Sequence, residues 1–487
     1  MLFNSLHFLF FFPMAVAIYF ATPRRHRWIW LLISSYYFYM CWNPRYVLLI
    51  LCSTLVDFVA ARRMAATSDP GRRKLFLGLS LAVNLGLLGT FKYFNFFADS
   101  LEQAFRAFNL FADVPTFQAL LPVGISFYTF QTLSYTIDVY KGRVEPENHF
   151  GYFAVYVAFW PQLVAGPIER PSRLLPQLHE PRRFDTARLR SGLTLMLWGF
   201  FQKLVIADRL APYVAEVYDQ PVHHIAELSG SATWLATYAF ALQIYCDFSG
   251  YSLIAIGAAR LLGVDLMINF RRPYFARSVA EFWQRWHISL STWFRDYVYI
   301  PLGGNRQGRP RHLRNLLITF AVSGLWHGAG WNFVIWGLWH GIFLIGALLT
   351  ADSRRRLRSA AGLRHTGFVA RNLQRLVTFH AVLVGWVFFR SADLATASTL
   401  LQRMLAGPWD GLVLDLHLIR TGPLDPWLAL VLCAALVVQD AILQDREVDV
   451  WLGELGPRRR FAWHGVVAGC ILWLGVFSSQ QFIYFQF

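Results

Sequence analysis

Apolar residues run along this chain in long stretches, separated by short connections that are basic or rich in glycine. The stretches begin near Phe8, Trp28, Tyr46, Leu75, Leu120, Gly151, Leu193, Trp234, Leu316, Trp331, Leu376, Leu428 and Phe461. About 20 mostly apolar residues cross a bilayer as a helix. Several stretches are shorter or interrupted by Gly and Pro, so the pattern predicts roughly 10 to 12 crossings. Backbone in lipid must satisfy its own hydrogen bonds, which makes helix the default, and these runs are too continuous for the alternating strands of a membrane barrel. The expected fold class is all-α: one polytopic membrane domain over residues 1–487.

Two segments depart from the spanning pattern. Over 278–300 the chain is polar and aromatic by turns. On a helix, Val279, Phe282, Trp283, Trp286, Leu290, Trp293, Phe294 and Tyr297 share one stripe, with Glu281, Arg285, Ser289, Thr292 and Asp296 opposite. This is the form of an amphipathic helix lying in the membrane interface. His287 falls at the edge of the apolar stripe, where a histidine that merely snorkels is the bland reading. The second segment, 315–350, carries the sequence Leu-Trp-His-Gly twice, at Leu325–Gly328 and Leu338–Gly341. His327 lies 12 positions after Asn315. That is roughly 18 Å along a helix, partway into a hydrocarbon core about 30 Å thick. Gly324, Gly328 and Gly330 around it allow a break at that depth, tolerated only against protein or a water-filled cavity. An ionisable residue there marks function or a packing hydrogen bond, and periodicity does not choose between His327 and His340. Asp138 and Asp247 are further polar groups inside apolar runs, read as structural partners of basic residues or as walls of a polar path.

Composition sharpens the membrane reading. Of 487 residues 56% are hydrophobic and 15% charged, against roughly 25% charged in soluble domains. The net charge of +16 sits in short loops: Arg24, Arg25 and Arg27, Arg62 to Lys74, Arg306 to Arg314, Arg354 to Arg358, and Arg458 to Arg460. Orientation by the positive-inside rule and contact with anionic membrane lipid account for this charge, and nucleic acid is not an expected partner. The first apolar segment has its arginines after it, so the N-terminus is expected outside, in the periplasm of a bacterium, and the arginine cluster inside. The five cysteines lie in or beside apolar runs with no metal-ligand spacing, so they read as small buried hydrophobes, and no metal is expected. No long hydrophilic domain is present, so any chemistry belongs to residues in or at the membrane.

Several motifs, in order, carry a resemblance. They are Met1-Leu-Phe-Asn-Ser, Leu121-Pro-Val-Gly-Ile-Ser-Phe-Tyr, Phe159-Trp-Pro-Gln-Leu-Val-Ala-Gly-Pro-Ile and Asp247-Phe-Ser-Gly-Tyr-Ser. Then come Glu281-Phe-Trp-Gln-Arg-Trp-His-Ile-Ser-Leu-Ser, Ile300-Pro-Leu-Gly-Gly-Asn-Arg, Ser323-Gly-Leu-Trp-His-Gly-Ala and Phe482-Ile-Tyr-Phe-Gln-Phe. The chain resembles the membrane-bound O-acyltransferase family, and within it the membrane subunits of bacterial alginate O-acetylation and their relatives for cellulose and peptidoglycan. Leu253, Gln284 and Gly330 stand where that pattern has other residues. The resemblance implies a ring of tilted helices around a funnel in a bacterial inner membrane. It maps the family's essential histidine to His327 and its second characteristic histidine to His287, and gives His340 no role.

The implied reaction moves an acetyl group from a cytosolic thioester such as acetyl-CoA towards an extracytoplasmic polysaccharide, with no bound cofactor. A separate periplasmic acetyltransferase partner is implied for delivery to the polymer. A buried imidazole stays neutral and serves as general base for a hydroxyl. His287 would orient, relay or stabilise charge. Trp286, Trp326, Arg295 and Asn305 are the candidate donors to substrate or oxyanion. Two other classes remain: a polysaccharide or solute conduit, and a haem or quinone protein using the histidines as ligands, which an absorption spectrum distinguishes.

Overall fold

A computed structural model describes residues 1–109, 115–116, 121–164, 166–360, 367–407, 425–477 and 482–483. Motif residues Ala165 and 484–487 lie outside these. Among the described residues the regular elements are all helical. The chain divides into two compact units, Met1–Leu197 with Tyr251–Met267, and Trp198–Gly250 with Ile268–Phe487.

Four described helices are long and apolar enough to cross a bilayer: Pro70–Ala107, Gly230–Leu261, Trp331–Leu349 and Phe368–Arg390. The pair Trp427–Leu443 and Val448–Glu454, bent by 69°, makes a fifth if counted as one span. Several other apolar stretches are shorter or divided. The first forms only the 16-residue helix Leu6–Ala21, and the stretch from Leu193 passes into a wider π-turn at Phe201–Ala207. Lipid-facing character is clear on Phe368–Arg390. Phe368, Val369, Leu373, Leu376 and Val377 are exposed, whereas Val382, Leu383, Trp386 and Val387 are buried. An exposed apolar face beside a buried one is what a bilayer on one side and protein on the other select.

In the first unit, α1 (Val47–Ala65), α2 (Pro70–Leu88) and α3 (Ile125–Tyr140) pack together. Asp69 caps α2 by accepting from the Gly71 N–H at 2.9 Å, with Pro70 at the first position, where a missing N–H costs nothing. The three helices are joined by polar side chains. Asp57 accepts from Ser80 Oγ at 2.5 Å and from Asn84 Nδ2 at 2.9 Å, and Ser53 Oγ donates to Asn84 Oδ1 at 2.6 Å. Apolar faces give helices in lipid little reason to associate, so such bonds act as glue. Asp138 is paired with Arg143 at 3.3 Å.

In the second unit the order is α4 (Val279–Arg285), α5 (Ile288–Phe294), α6 (Arg309–His327), α7 (Trp331–Leu349) and α8 (Phe368–Arg390). The single amphipathic helix expected over 278–300 is therefore divided at Trp286–His287, and it continues after Phe294 as a π-turn, Arg295–Tyr299. Its apolar stripe is packed inside protein: Phe282, Trp286, Leu290, Trp293 and Phe294 are all buried, and so is Ser289 from the polar side. The cysteines differ from expectation. All five are free, only Cys246 is buried, and Cys41 and Cys52 lie on the exposed surface.

Candidate active site

The break between α4 and α5 is built by local chemistry. Ser278 caps α4, its Oγ accepting from the Glu281 N–H at 3.1 Å, the serine-to-glutamate spacing of a capping box. The helix ends at Arg285, Trp286 is extended, and His287 adopts the left-handed conformation at φ 43° and ψ 55°. That conformation costs a non-glycine residue roughly 1–2 kcal/mol. It persists only where neighbours fix it. Here a neighbouring segment does so. Arg271 N–H donates to Arg285 O and Ile288 N–H to Asn269 O, both at 2.9 Å. Asn269 Oδ1 also accepts from Ser289 Oγ at 2.7 Å and from the Ser289 N–H at 3.3 Å. Asn269 and His287 are both buried, with His287 at 0% exposure. That complete burial pushes the His287 imidazole well below its ordinary pKa, so the ring is neutral near pH 7.

Asn269 carries a prediction. Asn269→Ala removes two hydrogen bonds at a buried site, a loss of about 1–3 kcal/mol, and frees His287 to relax from its strained backbone. The expected result is a fall in acyl transfer of roughly tenfold or more, with full-length chain still present in membranes. Transfer rates normalised to membrane-inserted protein check it; an unchanged rate would mean that the clamp does not position His287.

The second histidine comes from a helical hairpin. The turn before α6 needs left-handed backbone at Gly303 (φ 107°) and Gly304 (φ 57°). Asn315 fastens that turn, donating to Leu302 O at 3.1 Å and Gly304 O at 3.0 Å. α6 then runs to His327, turns through Gly328–Gly330, and returns as α7. The helices touch backbone to backbone. A Cβ on Gly324 would lie 2.2 Å from Phe333 O, and one on Gly337 2.1 Å from Phe320 O. Only glycine permits that approach. His327 is thus held at the tip of the hairpin, 3% exposed.

These elements assemble an aromatic cage. Phe248 meets His287 edge-on with ring centroids 4.6 Å apart. Trp326 lies 6.2 Å from His287 and 4.9 Å from His327. Trp336 lies 4.8 Å from His327 and 5.2 Å from His340. Phe389 from α8 closes on His327 at 5.4 Å. His340 stacks on Phe282, and its Nε2 abuts Gly385, where an added Cβ would come within 2.9 Å. The buried indole N–H groups of Trp283, Trp286, Trp336 and Trp386 have no hydrogen-bond acceptor among the described residues. A buried donor without an acceptor costs free energy.

Of the residues singled out from sequence, the structure brings together His287, His327, Trp286 and Trp326. It does not bring Arg295 or Asn305 to them. Arg295 is exposed and pairs with its neighbour Asp296 at 2.8 Å, and Asn305 is exposed in the turn before α6. Trp336, Trp386, Phe389 and Asn269 went unnamed by sequence. Trp336 alone had a signal, lying nine positions after His327 on the returning helix.

The sequence pattern described as MBOAT, membrane-bound O-acyltransferase family, matches residues 147–389, which contain the whole cage. The "Probable alginate O-acetylase AlgI" of Pseudomonas aeruginosa is 39% identical over 415 residues, 84% of this chain and 76% of that one. The chain belongs to the membrane-bound O-acyltransferase family. Among other relatives, the "Peptidoglycan O-acetyltransferase" of Helicobacter pylori is 34% identical over 437 residues, 83% of this chain and 80% of that one. The "Teichoic acid D-alanyltransferase" of Streptococcus thermophilus is 30% identical over 286 residues, 55% and 68% of the two chains. As a membrane-bound O-acyltransferase the chain is an acyl-transferring membrane enzyme.

Proposed function

We propose that the chain is an inner-membrane O-acetyltransferase that carries an acetyl group from a cytosolic thioester, acetyl-CoA first among donors, towards an extracytoplasmic polysaccharide. The observation that carries this reading is the cage: two buried histidines beside indole donors that lack acceptors, in a member of an acyltransferase family. His327 is the general base. It takes the proton of an acceptor hydroxyl as the oxygen attacks the thioester carbonyl. The C–O bond forms, the C–S bond breaks, and the imidazolium returns the proton to the departing thiolate. Indole N–H groups, Trp286 and Trp336 among them, donate to the carbonyl oxygen as its charge develops. His287 orients His327 or the substrate through Trp326. Alginate is the acceptor named in relatives at 39% identity, and the peptidoglycan named in the relative at 34% supports a second reading with the same chemistry on another polymer. A separate extracytoplasmic partner completes delivery to the polymer.

The test uses a host deleted for the gene. Restoring the chain should restore alkali-labile acetyl groups on the surface polymer. Membrane vesicles containing it should release free thiol from acetyl-CoA only when acceptor is present. Restored acetylation without donor-dependent thiol release would remove acetyl-CoA as donor, and absence of both would remove the reading.

A further inference from the structure

The histidine at the hairpin tip is shut off from solvent. His327 is 3% exposed, and both of its ring nitrogens are inaccessible. A base must come within about 3 Å of the hydroxyl whose proton it takes. The closed cage of this structure therefore opens during turnover, and the question is which wall yields.

Three rings wall His327, and they are held in different ways. Trp326 is its chain neighbour and moves with it. Trp336 stands on α7, which Gly324 and Gly337 lock to α6 backbone to backbone. Phe389 lies on the last turn of α8, and polar contacts hold that turn. The final carbonyls of a helix have no partner within it. Here Asn332, the second residue of α7, reaches across: its Nδ2 donates to Phe388 O at 3.3 Å and to Ser391 O at 2.8 Å. Asn332 does this at 4% exposure, away from water. On the following residue, Arg390 pairs with Asp219 at 2.7 Å. Phe389 thus sits between two fastened neighbours, itself at 0% exposure. Phe333, next to Asn332 on α7, meets the Phe389 ring edge-on at 5.3 Å, so the hydrogen bonds and the ring they steady come from one turn of α7. Hydrogen bonds to two carbonyls break and re-form more readily than a helix pair packed through glycines, which makes Phe389 the wall that yields.

We infer that Phe389 is a seal over His327 and that Asn332 is the positioning residue that latches it, keeping water from the acyl thioester until the acceptor is in place. The purpose of the seal rests on the acetyltransferase reading; the barrier itself does not. With the seal loose, water takes the acceptor's part. Its oxygen bonds to the acetyl carbon, the C–S bond breaks, and one of its protons passes through His327 to the thiolate, giving acetic acid and free thiol.

Two measurements on the full chain in lipid nanodiscs test this. Diethyl pyrocarbonate modifies accessible neutral imidazoles, and mass spectrometry of the digest gives the rate at each histidine. In wild type His327 should react far more slowly than the exposed His223 and His224. Asn332→Ala and Phe389→Leu should each speed the reaction at His327 by roughly tenfold, while His340, stacked on Phe282 and beside Trp336, stays protected. Thiol release from acetyl-CoA without acceptor should rise by a similar factor in both variants. Equal rates at His327 and His223 in wild type, or unchanged protection in both variants, would overturn the seal. So would His340 uncovered together with His327, which is loosening of the fold. A faster reaction at His327 with no rise in acceptor-free thiol release, in a chain that does transfer, would overturn its role in excluding water. Protection lost as expected with no thiol release from any form would leave the seal standing and remove the acetyltransferase reading from acetyl-CoA. Acceptor-dependent release with His327 open in wild type would do the reverse.

Discussion

Replacing His327 by alanine is expected to lower acetyl transfer by about 10²- to 10⁴-fold, the contribution of a positioned general base. The expectation follows from where the hairpin holds this ring. It sits 3% exposed between Trp326 and Trp336, on a helix end that Gly324 and Gly337 allow to pack backbone to backbone. His327→Gln keeps polar bulk without a base, and should be as inactive as alanine if the proton is what matters. His340→Ala is a different change. That ring stacks on Phe282 against Gly385, so its loss opens a packing gap and leaves the His327 ring between its two tryptophans. Transfer per molecule should fall far less.

The largest effect on stability is expected at Lys203. Its ammonium bridges Asp208 and Asp247 with all three side chains at 4% exposure or less. Lys203→Met leaves two buried carboxylates without their cation, a situation that costs about 3–5 kcal/mol. The chain should accumulate poorly in membranes and unfold at lower temperature in detergent. Adding Asp247→Asn to Lys203→Met should recover part of the loss, since one stranded charge is removed. A thermal-unfolding series over the single and double variants reads this directly, and a Lys203→Met chain as stable as wild type would contradict the bridge.

The sequence made part of this site legible for identifiable reasons. His287, Trp286, Trp326 and His327 sit in short motifs whose residues are adjacent in the chain, so the motifs survive into the cage. Arg295 and Asn305 lie in the same motif-rich stretch, but a π-turn and a glycine turn direct them to the surface, and no periodic pattern anticipates either turn. The division of 278–300 at His287 was invisible for a similar cause. The break is set by Asn269 from outside the segment, and a lone asparagine in an irregular stretch has no signature. Lys203 and Asp247 are 44 positions apart, and nothing in either local sequence pairs them. Membrane character was readable throughout because it depends on composition over whole stretches. Where a helix breaks was not, because that depends on packing, as at Phe201–Ala207.

If His327 is the base for acyl transfer, the most direct measurement of that role is polymer-linked acetyl content in deletion cells carrying wild type, His327→Ala or His340→Ala at matched membrane levels. The expected result is loss of acetyl with His327→Ala and substantial retention with His340→Ala. Full acetylation with His327→Ala would contradict it and return the catalytic role to another member of the cage.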